Sequence, residues 1–323
     1  MNFTKIDYQS TKKMRLILNF VVNICLLPLY MVFIVLASVF VWLPVYPNKV
    51  GVRNFQKRLN TGSLKARWYL FSVYLNYIAH FFEIFVLIPL KIQHIRNDIE
   101  VENFMDELNE IYGFEQKTGL MLMGAHFGNI EVAGNKIAEI FKKKYNKKFF
   151  VLSKPFSSKL LTRFLEKYRN FFGMQVIQTN RKDLSRAVLT TLKNGHGMGL
   201  ISDQKPKTNG VFSSFFGEWA EFPVSGLDMA LRAGVPGAFI VAKRISPGQF
   251  TFYFAHSTAN SVAIGNSNLK LNRILFENKM QRTAESLRLM ALYVGWLESC
   301  VEHNLFQWCW DYKKWSRKPT FGE

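Results

Sequence analysis

His126 and Glu131 stand five positions apart, with Phe127-Gly128-Asn129-Ile130 between them. A histidine beside a carboxylate can act as a general base: the acid holds one imidazole nitrogen while the other takes a proton. On a regular helix, five residues turn through about 500°, which leaves the two side chains roughly 140° apart. A strand that ends before the histidine and a helix that begins after Gly128 would let them meet. The preceding run, Leu120-Met121-Leu122-Met123-Gly124-Ala125, is short and apolar and predicts that strand. No serine or cysteine nucleophile is required when the substrate brings its own hydroxyl. The bland alternative is a surface pair or a helix cap.

The elements that must position these residues follow from the periodicity. From Glu100 onward, helical and strand-like patterns alternate. Helices are predicted over 101–111, 131–144, 159–172, 184–193, 223–233 and 273–300. Strands are predicted over 120–125, 149–152, 176–177, 198–201, 237–242 and 250–255. This alternation predicts an α/β fold with a mainly parallel central sheet flanked by helices.

Residues 16–48 contain no Asp, Glu, Lys, Arg or His. At least 20 apolar residues span a bilayer core, so the stretch predicts an N-terminal hydrophobic membrane-anchoring helix over 1–48. Pro28 is expected to kink or split it. Lys12, Lys13 and Arg15 precede the run, and Lys49, Arg53, Lys57 and Arg58 follow it. With both ends basic, the positive-inside rule gives no orientation, and a span or an anchor in one leaflet both fit. A second apolar segment, 68–89, is interrupted by His80 and Glu83 and reads as a core helix with an aromatic face.

Lysine and arginine number 42 against 23 acids, a formal charge of +19. Such a surface seeks polyanions: nucleic acid, anionic lipid or phosphorylated substrates. With 49 % hydrophobic residues and 30 phenylalanines, the chain suits an anionic membrane surface better than nucleic acid, for which no motif is visible. Cys25, Cys300 and Cys309 have neither a disulfide framework nor metal-ligand spacing. Gly195-His196-Gly197-Met198-Gly199 precedes a strand and reads as a turn, not a phosphate loop. His256 and His303 read as structural.

A longer series of segments resembles one family. It comprises Arg53-Asn54-Phe55, the His126-x4-Glu131 motif, Arg169 to Gly173, Ser202-Asp203-Gln204, and Gly210 with Phe215-Phe216-Gly217. Gly234-Val235-Pro236, Arg244 and Phe306-Gln307-Trp308-Cys309-Trp310 complete it. In this order, over nearly the whole chain, they resemble the lipid A late (secondary) acyltransferases of the lysophospholipid acyltransferase superfamily. The resemblance implies an acyltransferase domain over 49–323, with His126 as general base and Glu131 as its orienter. It implies an acyl-carrier-protein thioester as donor and, as acceptor, a hydroxyl on the acyl chains of a phosphorylated glycolipid. It implies no metal or diffusible cofactor, and a place at the bacterial inner membrane with the catalytic domain on the cytoplasmic side.

The chemistry is self-consistent, since a weak hydroxyl nucleophile needs a base and a thioester leaves readily. Backbone amides near Gly128 and Asn129, at a helix N-terminus, are candidate oxyanion donors. Arg169 is a candidate for phosphate or the acyl carbonyl, and Arg163 competes for that role. Asp203 ends a strand and reads either as a site carboxylate or as a turn residue, with Gln204 beside it. The family's tail often has Pro before Gln-Trp and Arg-Arg after it; here Leu305-Phe306 and Lys313-Lys314 stand there and keep the basic character. Acylation of another lipid, or a non-catalytic membrane-binding role, are the alternatives.

Overall fold

A strand that is apolar at every position must be covered on both faces. The run from Leu120 is such a strand. The computed structural model describes residues 3–91, 93–113, 119–206, 210–235, 237–256, 263–264, 267–268, 274–275 and 284–315. In it the run forms β2 (Leu120–Gly124), buried at all five positions, at the centre of a seven-stranded sheet. The other strands are β1 (His94–Ile95), β3 (Phe149–Ser153), β4 (Met174–Gln178), β5 (Gly197–Ile201), β8 (Gly237–Ser246) and β9 (Gln249–His256). Their order is β1-β9-β8-β2-β5-β3-β4. The five from β8 to β4 are mutually parallel; β9 returns antiparallel to β8 and carries β1 in its own direction. The sheet is mixed and mostly parallel, as the alternation predicts.

Side-chain alternation along β2 sorts the layers. Leu120 and Leu122 pack with Val101, Phe104 and Leu108 of α4 (Asp98–Tyr112) and with Ile137 and Phe141 of α5 (Ile130–Lys144). Met121 packs on the other face, with Val188 and Leu192 of α7 (Leu184–Lys193) and Ala230 of α8 (Ser225–Ala233). Met123 joins a third cluster with α9 (Ala284–Glu302) and the C-terminal tryptophans. Thus β2 leads to α5 on one face, while the connection from its neighbour β5 runs through a β-hairpin to α8 on the other. The crevice between adjacent strands whose connections part in this way is where open α/β sheets bind ligands.

Two boundaries differ from the sequence expectation. Pro223 ends β7 (Glu218–Pro223), which pairs with β6 (Gly210–Phe215), and α8 starts at Ser225. The β6–β7 turn is Phe216-Gly217, both at positive φ (52° and 73°), the geometry of a tight two-residue hairpin. The predicted helix over 273–300 begins at Ala284; Ile274–Leu275 instead pairs with β6. Residues 276–283 lie outside the described ones, as does Pro236.

Helix α1 (Phe3–Phe40) runs through Pro28 without ending there. Its stretch Lys13–Phe40 is long and apolar enough to cross a membrane and is mostly exposed, a candidate membrane anchor. Helix α2 (Tyr46–Arg58) and helix α3 (Ser63–Phe82) follow, and α3 continues into a wide turn of π-helix, Glu83–Leu87. The second apolar segment is half core, as expected, with Leu70, Val73 and Phe82 buried and Trp68, Phe81 and Phe85 exposed.

Candidate active site

The β2 chain leaves the sheet at Ala125, and His126 follows at its C-terminal edge. Residue Asp203 leaves β5, the adjacent parallel strand, two residues beyond Ile201. That adjacency brings the two together. His126 Nδ1 lies 2.8 Å from Asp203 Oδ1, and the His126 backbone N–H donates to Asp203 Oδ2 at 3.0 Å. The carboxylate is fully buried, whereas the imidazole is 37 % exposed and no described residue hydrogen-bonds its Nε2. Burial alone would lower the His126 pKa, but the Asp203 charge and hydrogen bond outweigh it and hold it above the ordinary value. For Asp203, burial would raise the pKa. His126, the nearby Lys314 cation and the Trp308 N–H hold it below the ordinary value instead.

The expectation that Glu131 holds the imidazole is corrected here: the carboxylate on His126 is Asp203. Among the described residues, no hydrogen bond or ion pair joins Glu131 to His126. Glu131 sits in the first turn of α5 and faces α6 (Lys159–Phe171), where Arg169 takes it. The guanidinium donates from Nη2 at 2.6 Å and from Nε at 3.2 Å, and its Nη1 donates to Ser153 Oγ at 2.8 Å. All three Arg169 nitrogens are therefore engaged within the protein. Arg163, six residues earlier and so about 120° away around the helix, is exposed and does not join the site. Gln204 is exposed as well.

Gly128 and Asn129 serve the site by shaping it. Gly128 has φ +58°, and a Cβ there would lie 1.9 Å from the Ala242 carbonyl oxygen, so only glycine fits. Its N–H donates to Gln307 O, and the Asn129 N–H donates to Ala242 O. Both amides are thus spent on the fold, which corrects the expectation that they are oxyanion donors. The Asn129 side chain caps α5, accepting from the Glu131 and Val132 N–H groups, and donates to Glu83 Oε2 at 2.7 Å.

Three contributors were missed in the sequence. Trp308 Nε1 donates to Asp203 Oδ2 at 2.8 Å, so the tail tryptophan fixes the carboxylate from behind. Glu83 is fully buried and pairs with Arg244 through two 2.6 Å contacts. The signal for it was a lone acid in an apolar run, which demands a partner. Lys314 is also fully buried: its Nζ donates to Glu221 O at 2.7 Å and lies over the Phe222 ring. Burial first of all pushes its pKa down to about 7. It is not a surface cation for phosphate, as the basic tail suggested.

An apolar cavity opens beside the dyad. It starts near Ala125, has Glu131 and Arg169 at its polar end, and runs between α5 and the sheet to Phe149 and Met174. Gly134 and Gly199 line it, and a Cβ at either would meet Met174 Sδ (2.3 Å) or the Phe149 ring (2.9 Å). His126, Asp203 and Cys309 offer donor atoms within 4.8 Å of one another. Burial pushes the Cys309 thiol well above its ordinary pKa, and Asp203 already has four hydrogen-bond partners: the His126 N–H, His126 Nδ1, Trp308 Nε1 and, at 4.0 Å, Cys309 Sγ. That chemistry fits a hydrogen-bonded dyad better than a metal centre.

The arrangement is an imidazole with a free Nε2, held by a buried carboxylate at a strand-end crevice, next to an apolar cavity. Comparison with curated proteins gives no match. Residues 71–317 match the model of the family described as bacterial lipid A biosynthesis acyltransferase. The match spans every site residue named above and most of the chain, which therefore belongs to the bacterial lipid A biosynthesis acyltransferase family.

Proposed function

We propose that the chain transfers a fatty acyl group from an acyl-carrier-protein thioester to a hydroxyl on the acyl chains of a lipid A precursor. The observation that carries this reading is the His126–Asp203 pair, with Nε2 open, directly after Ala125 in the lining of an apolar cavity. The acceptor hydroxyl oxygen attacks the thioester carbonyl carbon while Nε2 takes its proton. Asp203 stabilises the resulting imidazolium and keeps Nε2 directed at the acceptor. Collapse of the tetrahedral intermediate breaks the carbon–sulfur bond, and the imidazolium returns its proton to the departing thiolate. The donor's acyl tail occupies the cavity. Glu131 and Arg169 act as a clamp between α5 and α6 at the cavity's polar end.

In this reading residues 1–48 anchor the enzyme, and residues 49–323 form the acyltransferase domain on the cytoplasmic side of the bacterial inner membrane. Its partners are the carrier protein, the phosphorylated glycolipid acceptor and anionic lipid, and no cofactor takes part. The test is transfer of a radiolabelled acyl group from the carrier protein to a tetra-acylated lipid A precursor, by wild type, His126→Ala and Asp203→Asn. Transfer by wild type with severe loss in both variants supports the reading. Transfer only to a lysophospholipid would keep the dyad and reject the acceptor. Equal activity in all three proteins would reject the dyad.

A further inference from the structure

Helix α6 has an apolar face that is largely exposed among the described residues. Leu160, Phe164 and Phe171 fall within about 40° of one another around the helix, and Leu161 borders them. Their exposures are 80 %, 40 %, 72 % and 40 %. Lys159, Arg163 and Lys167 repeat every fourth residue along one flank of that face, and all are exposed. Arg169, on the opposite side, points inward to Glu131. An apolar stripe flanked by a basic one is the pattern of a helix lying in a membrane interface.

Two further observations name the occupant. The first is continuity with the candidate anchor. Ring contacts run from Phe33 of α1 to Phe81 (6.2 Å), from Phe81 to Phe85 (4.5 Å), and from Phe85 to Phe164 of α6 (5.3 Å, nearly parallel). The exposed faces of α1, α3 and α6 therefore form one apolar surface. The second is depth. Phe171 borders a groove that is also lined by Arg15, Lys91 and Lys142. Arg15 stands at the start of the candidate span, the level at which cations meet head groups. The end of α6 thus lies at that same level.

We propose that α6 is a second membrane element: its apolar face enters one leaflet beside α1, and its basic stripe meets anionic head groups. This rests on the membrane-bound reading of the enzyme but not on the reaction. Arg169, on the opposite side of the same helix, lines the apolar cavity, so the docked helix lies between that cavity and the bilayer.

The test uses the full chain with Cys25→Ala, since Cys300 is buried and Cys309 partly so. Single cysteines at Leu160, Phe171 and the exposed loop residue Lys182 carry an environment-sensitive dye. The protein is reconstituted into vesicles of phosphatidylcholine with or without phosphatidylglycerol. The expected result is blue-shifted emission at 160 and 171, quenched by tail-brominated lipid and stronger with phosphatidylglycerol, and solvent-like emission at 182. Solvent-like emission at both helix positions would overturn the proposal, as would protection that arises only on adding acyl carrier protein. A second arm uses the double variant Leu160→Glu/Phe171→Glu. Transfer to acceptor in vesicles should fall about tenfold or more, while transfer in detergent micelles stays within about twofold. Equal loss in both media would count against it. The dye measurement needs no turnover, so its failure is distinct from failure of the acyl-transfer reading.

Discussion

At the scale of single residues, Asp203 decides how His126 behaves. In the proposed reaction turnover needs neutral imidazole, and Asp203 holds the imidazole pKa above its ordinary value. kcat/KM should therefore rise with pH through that raised value. In Asp203→Asn the charge is gone and burial remains, so the rising limb should move to lower pH, while kcat falls by about 10³–10⁴ as in triads that lose their acid. Glu131→Gln loosens the clamp to Arg169 and should lower turnover without moving the limb; a limb that shifts in Glu131→Gln but not in Asp203→Asn would reverse the assignment. The same pair has a stability signature. His126, raised on folding, stabilises below its unfolded pKa and loses that contribution as pH rises through the folded one. Asp203, lowered on folding, stabilises above its unfolded pKa and loses its contribution as pH falls through the folded one. The stability gap between wild type and Asp203→Asn should be widest between about pH 4 and 6.5, the two ordinary values. Trp308→Phe isolates the tail's part. It keeps an aromatic ring against Phe215 but removes the N–H, a loss of about 1.5–3 kcal/mol for a bond to a charged acceptor. Turnover should fall about tenfold with KM unchanged, and wild-type turnover would show that the indole N–H does not position Asp203.

At the scale of elements, local pattern and long-range partnership part company. Helices α4, α5, α6 and α7 and strands β2 to β5 are legible because each is encoded by its own periodicity. The strand-to-helix turn at Gly128 is legible too, because only glycine tolerates that φ with a carbonyl so close. Partner choice is not encoded in that way. Spacing offered Glu131 as the acid nearest His126, but the phase of α5 directs Glu131 to Arg169, 38 residues away. Asp203, 77 residues from His126, arrives because β5 lies beside β2, a fact of sheet order. Trp308 comes from 105 residues beyond Asp203 and is visible in sequence only as a tail motif. Glu83 and Arg244 are separated by 161 residues and tie the π-turn after α3 to β8. Their pair is buried, so removing either partner leaves an uncompensated charge. Glu83→Gln and Arg244→Met should each destabilise by about 3–5 kcal/mol, and the double variant by clearly less than the sum. Denaturant unfolding in detergent measures this; strict additivity would mean that the two do not act as a pair.

At the scale of the whole molecule, charge and apolar surface divide the labour. In the proposed reading the exposed apolar surfaces of α1, α3 and α6 meet the bilayer, which supplies the lipid acceptor. The donor, an acidic carrier protein in the proposed reaction, must come from water, and the formal charge of +19 is the means to capture it. Screening separates the two routes. The Debye length shrinks from about 10 Å at 0.1 M salt to about 3 Å at 1 M, so long-range steering is lost over that range. The dyad's own contacts are near 3 Å and partly buried, so the chemical step is screened far less. With acceptor held in neutral detergent micelles, kcat/KM for the carrier-linked donor should fall steeply as salt rises, while kcat stays nearly flat. A second donor lacking the carrier, a short neutral acyl thioester, should show no such fall. Parallel losses for both donors would place the salt effect on the fold or the chemical step, and a flat profile for the carrier-linked donor would mean that the basic surface serves the membrane alone.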